Sequence, residues 1–208
     1  MPKTYTFQTY QYTELSDKAK KKALQVMQDA EAEHGDCSGL ISDHFTERLD
    51  DLGYPTDKIE YSLSSSQGDG VAFYGTLPLT DALLTRCLVS SDTPTEDFII
   101  LKQLIVEGDL VIKIIRNQRG HHYSHFNTMC LDVNYTGDSE LQPFIEDLED
   151  WLLADIRSTS KELEAEGYAI IDNARSDEVV IENASANETE FTIDGRFASV
   201  ARLNAIFV

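Results

Sequence analysis

Apolar and polar positions along this chain follow two rhythms, and each predicts a different element. Period two appears where Ile59, Tyr61 and Leu63 alternate with Lys58, Glu60 and Ser62, which predicts a strand over 58–64. After SSSQGDG the run VAFYG resumes strand chemistry, so 70–76 is expected to close a hairpin, with Gly68, Asp69 and Gly70 supplying the tight connection. Residues 109–117 (DLVIKIIRN) and 126–135 (FNTMCLDVNY), joined by QRGHHYSH, predict a second strand pair. The Thr/Tyr/Phe-rich segment 4–12 reads as a further strand at the N-terminus. The other rhythm is helical. Ser16 caps a helix whose Ala19, Ala23, Met27 and Ala30 recur through about residue 34. A second helix, 39–52, turns Leu40, Phe45, Leu49 and Leu52 inward and ends at Gly53. Helices over 79–90 and 94–106 follow, then the longest one, 139–166, whose buried stripe is Leu141, Ile145, Leu148, Trp151/Leu152 and Ile156. Ser176 caps a last helix, 177–186, and Asp194–Gly195 signals a type I′ hairpin between EFTI and RFAS.

These elements assemble into an α+β fold. Two hairpins give an antiparallel sheet of four strands, five with the N-terminal segment, and the helices are expected on one face of it. No linker, repeat or low-complexity tract interrupts the pattern, so residues 1–208 are expected to form one domain.

Composition agrees with a folded chain: 41% hydrophobic and 26% charged residues can build a core and argue against disorder. No basic start followed by an apolar run is visible, and no 18-residue apolar window exists. The expectation is a protein of the cytoplasm, with no membrane partner. Cys37, Cys87 and Cys130 are odd in number and lack a CxxC pair, which fits reduced thiols better than disulfides or a zinc site. Charge changes the picture most. The net charge is −20, and residues 138–194 alone carry 3 basic against 17 acidic groups, a net of −14. Direct nucleic-acid binding needs clustered Lys and Arg and is disfavoured, whereas a partner protein with a basic surface is favoured. On 139–166, Glu146, Asp147, Glu149, Asp150 and Asp155 fall outside the apolar stripe and are the expected partner-binding residues.

Two loops hold the remaining chemistry. The SQGDG turn, with Gln67 and Asp69, can offer backbone N–H groups to an anion, but it lacks the Lys-Ser/Thr ending of a phosphate loop and joins two strands. Its plain reading is a hairpin turn in which Asp69 bonds its own backbone. In the second loop, Arg119, His121, His122, Tyr123 and His125 are the densest titratable and aromatic group of the chain. Two of these histidines, with Asp69 or Asp132, can approach one metal ion if the two hairpins pack side by side. Their spacing matches no familiar ligand pattern, and whether a metal binds is left open. No nucleophile elbow, HExxH, GxGxxG or kinase signature is present, and Cys130 reads as an inert thiol in an apolar strand. No catalytic residue and no cofactor are expected.

Four segments carry a resemblance: YTELSDKAKKKAL (12–24), IEYSLSSSQGDGVAFYG (59–75), RGHHYSHFNTMCLDV (119–133) and ANETEFTIDGRF (186–197). Their order and content resemble a family of small uncharacterised proteins of bacteriophages and prophages, sometimes labelled antitoxin-like. The SQGDG and RGHHYSH segments match best, while 138–166 is more acidic and less aromatic than the family pattern. The resemblance implies a phage protein acting in the bacterial host's cytoplasm, and it supplies no catalytic residues. Joined to the charge, it implies a non-enzymatic inhibitor of a host protein, such as a nucleic-acid-handling defence component of the kind that anti-CRISPR or anti-restriction proteins block by nucleic-acid mimicry. Two rival expectations remain: an antitoxin-like partner of a toxin, and a metal-dependent enzyme built on Asp69 and His121–His125.

Overall fold

The computed structural model describes residues 8–90, 95–118 and 123–199. In chain order the elements begin with α1 (Asp17–His34), α2 (Ser38–Leu52), β1 (Lys58–Ser62), β2 (Gly70–Thr76) and α3 (Asp81–Ser90). They continue with α4 (Thr95–Glu107), β3 (Leu110–Arg116), β4 (Met129–Tyr135), α5 (Gln142–Ala174) and α6 (Asp177–Ala186). No helix among the described residues is long and apolar enough to cross a membrane.

The chain divides into two compact units, one of residues 39–168 and one of residues 1–38 with 169–208. One boundary falls at the first turn of α2 and the other inside α5, so neither coincides with a Pro/Gly-rich linker.

In the 39–168 unit the sheet is antiparallel, in the order β1-β2-β3-β4. Register follows the predicted hairpins: Ile59 faces Phe73 across β1 and β2, and Ile114 faces Leu131 across β3 and β4. Strands β2 and β3 pair at Gly75–Ile114 and Thr76–Lys113, and Leu77 N donates to Ile112 O at 2.9 Å just beyond them. β3 buries Leu110, Ile112 and Ile114 and exposes Lys113 and Ile115, the alternation of a half-buried strand. β2 is buried along most of its length. Phe45 of α2 meets the Tyr61 ring edge-on with centroids 5.3 Å apart, and Tyr54 meets Phe73 at 5.2 Å. A buried aromatic of this kind contributes on the order of 2 kcal/mol through apolar surface removed from water. Ser160, buried on α5, donates to the Val71 carbonyl of β2 and ties helix to strand.

The other unit is built from α1 and α6. Ser16 caps α1 by accepting from Ala19 N at 3.4 Å, as its sequence position predicts. Ala19, Ala23 and Met27 pack with Val180, Ala184, Leu15 and Phe191, and the Tyr12 ring meets Phe191 edge-on at 6.4 Å. Small residues on both helices allow this close approach.

Several expectations change, and one of them is Leu40, expected to turn inward on α2 but exposed. The N-terminal strand is not a strand where it is described: Tyr10 makes only an isolated bridge with Phe191, and Tyr12–Glu14 is a 3-10 turn. Residues 1–7 lie outside the described residues. Residues 126–128 form a 3-10 turn ahead of β4, and residues 139–141 another ahead of α5. α5 itself runs eight residues past the predicted end. Finally, the Asp194–Gly195 turn is not type I′, because only Gly195 has positive φ (+81°). Thr192 O accepts from Gly195 N, and Thr192 N donates to Arg196 O, both at 2.8 Å. That is the three-residue hairpin in which glycine takes the left-handed bulge position.

Candidate binding face and loop site

The α5 carboxylates follow from helical geometry. Ile145, Leu148, Leu152 and Ile156 fix the buried stripe, and positions one or two residues away from it point outward. Glu146, Asp147 and Asp150 are exposed, and Glu149 is half-buried. Glu146 accepts from the Gln142 side chain at 3.1 Å, one turn earlier. Asp147, Glu149 and Asp150 form no ion pair among the described residues.

Asp155 behaves differently. It is half-buried and paired with Arg86 of α3, and it accepts from the Tyr54 hydroxyl. Arg86 also donates to Leu52 O at 2.9 Å and lies over the Tyr54 ring at 5.5 Å. Burial, reinforced by the bond to Asp155, pushes the Tyr54 hydroxyl well above its ordinary range. Asp155 is therefore a structural residue and leaves the expected binding set. The later turns of α5 are similarly engaged. Glu166 pairs with His44 at 2.7 Å and with Arg48 at 3.4 Å, and Glu162 approaches Arg48 at 3.9 Å.

Among the described residues Asp69 is the most densely bonded carboxylate. It is buried at the tip of the β1–β2 hairpin. Its oxygens accept from the hydroxyls of Ser62 (2.8 Å), Ser64 (3.0 Å) and Ser66 (2.8 Å). They also accept from the backbone N–H of Ser64 (2.6 Å) and Ser66 (2.8 Å), and from the Tyr168 hydroxyl of α5 (2.6 Å). Burial alone would raise this carboxyl, but the bonds from Tyr168, Ser66 and Ser62 outweigh it and hold the group well below the usual carboxylate range. The same bond to Asp69, with burial, raises the Tyr168 hydroxyl. Ser65 N donates to that hydroxyl at 3.1 Å, and Ser65 takes φ +60°. Gln67 is exposed on the outside of the turn.

The two loops do pack side by side. The Tyr123 ring lies against Gly68, and a side chain at Gly70 would collide with His125. Tyr123 stacks on His125 with centroids 6.4 Å apart, and Lys161 of α5 sits 4.2 Å from the Phe126 centroid. His125 accepts from Asn127 N through Nδ1 at 3.1 Å, so it caps the 3-10 turn before β4. The Asp69 oxygens are filled by protein donors, and His125 is occupied as a cap. Among the described residues no group of three or more His, Cys, Asp or Glu is arranged to hold a metal ion. Asp132 is exposed on β4, opposite Lys113. Arg119, His121 and His122 lie outside the described residues. Burial, with Asp132 nearby, raises the Cys130 thiol, which suits an unreactive group.

A second run of exposed carboxylates was not foreseen. Asp43, Glu47 and Asp50 recur at i, i+4 and i+7 on the outer side of α2, opposite Ile41, Phe45 and Leu49. The spacing is plain in the sequence; the greater acidity of 138–194 drew attention away from it. Comparison with family models, with curated proteins and with solved structures finds no match for this chain.

Proposed function

We propose that this chain is a non-enzymatic binding protein that seats the exposed carboxylates at the start of α5 on a basic surface of another protein. The observation that carries the reading is that Asp147 and Asp150 point into water without a cation of their own chain among the described residues, Glu149 beside them being half-buried and equally unpaired. Carboxylates left unpaired on one rigid helix can meet Lys and Arg that otherwise meet phosphates. Glu146 belongs to the same stretch, and Asp155 does not. In the terms of the family resemblance, the partner is a host protein that handles nucleic acid. The bound complex would hide that protein's phosphate-binding cations and so inhibit it.

The test is affinity capture from bacterial host lysate by the intact chain and by a variant carrying Asp147→Lys and Asp150→Lys. A protein held by the parent at low salt, released at high salt and not held by the variant supports the reading. Equal capture by both, at either salt concentration, overturns it.

A further inference from the structure

The α1–α6 unit contains a feature that the carboxylate face of α5 does not use. At the C-terminal ends of both helices an open pocket of about 260 Å³ is set between them. Its floor is apolar: Met27, Val180, Ala184 and Phe197. The space exists because small side chains, Ala30 on α1 and Ala184 on α6, stand where larger ones would fill it. The rim is polar. Glu31 lines it and has no cationic partner among the described residues, the His34 imidazole stands beside it 3.7 Å from Glu33, and Asn183 and Asn187 add amide groups. α1 ends at His34 and α6 at Ala186, so the negative ends of two helix dipoles converge on the same opening. Glu31 and both helix ends disfavour an anion and favour a positive charge above an apolar body.

We propose that this pocket is a binding site for a small amphipathic cation, with an aliphatic or aromatic body on the Met27–Val180–Ala184–Phe197 floor and an ammonium group at Glu31. The ammonium would donate to Glu31 and to the amide oxygen of Asn183 or Asn187, while the body displaces water from the floor.

The full-length protein can be titrated with n-hexylamine, 1-hexanol and hexanoate and followed by amide chemical shifts in NMR. The expected result is saturable binding of the amine with shifts confined to residues 27–35 and 180–197. Hexanoate should bind roughly tenfold or more weakly, since its charge meets the helix ends and Glu31 with the wrong sign. Ala30→Leu fills the pocket from a half-buried position and should abolish the response, whereas Glu31→Gln should keep hexanol binding and lose the preference for the amine. Near-UV circular dichroism of both variants checks that the fold is kept. Absent or unsaturable amine binding, equal binding of hexanoate, or an unchanged response in folded Ala30→Leu overturns the proposal.

Discussion

Asp69 and Asp150 are the same side chain in one acidic protein, and they do opposite things. Asp69 is buried in a turn and holds six hydrogen bonds from four residues. Asp150 stands on the outer side of a helix and pairs with no cation of its chain among the described residues. The contrast teaches that net charge is a poor guide to which carboxylates are available. What decides is whether the fold aims donors at them. Asp155 makes the point within one helix: two turns from Asp147, it is already part of the packing.

The strongest way to break this comparison is to remove Asp69. Asp69→Ala removes the shared acceptor of Ser62, Ser64, Ser66 and Tyr168 from the turn, and the expected loss is about 2 kcal/mol in urea unfolding at neutral pH. A loss under about 1 kcal/mol would place Asp69 among the dispensable carboxylates. The pH dependence sharpens the same point. Because its carboxyl titrates lower in the folded state than in the unfolded one, the folded chain binds fewer protons there. Its stabilisation is complete above the unfolded value, near ~4, and drains away as pH falls below it. The parent and Asp69→Asn stability curves should thus converge on acidification from about pH 5 towards pH 2, and parallel curves would contradict the assignment.

Close in size is Arg86→Ala, which strands the half-buried Asp155 and removes a cation from the Tyr54 ring; about 2 kcal/mol should be lost. Restoring stability with Asp155→Leu in the same chain would show that the pair serves packing. The smallest effect is expected at the exposed end of α5. Asp147→Lys with Asp150→Lys should change the unfolding free energy by no more than about 0.5 kcal/mol, even as it abolishes partner capture. A large stability change there would erase the distinction between the two kinds of carboxylate.

Much of the fold was legible because local signals agreed. Ser16 and Ser176 cap the helices they were assigned to, and the alternation in 58–64 and 109–117 predicts the hairpin strands within two residues. α5 shows why the rest was not. Its predicted end was Glu166, one residue before Gly167. In the structure Gly167 lies mid-helix, buried where α5 passes against Leu63 and Phe45, and a side chain there would meet the Leu63 methyl at 2.5 Å. It is a close-approach residue, and only the tertiary neighbour reveals that. The exposed carboxylates of α5 were legible as a stretch and not residue by residue. Removing Asp155 from it required knowing that Arg86, 69 residues away, comes to meet it. Asp69 as a turn residue was foreseen, while its bond to Tyr168, 99 residues distant, was not.

The division into units also bears on how a nascent chain folds. α1 has its apolar side ready early, but the surface that covers it belongs to α6, about 140 residues later. At ~5–20 residues per second of synthesis, roughly seven to thirty seconds pass before that cover is made. Through this interval Ala19, Ala23 and Met27 lack their cover, a window in which chaperones have access to the first helix while the sheet that follows it can already close.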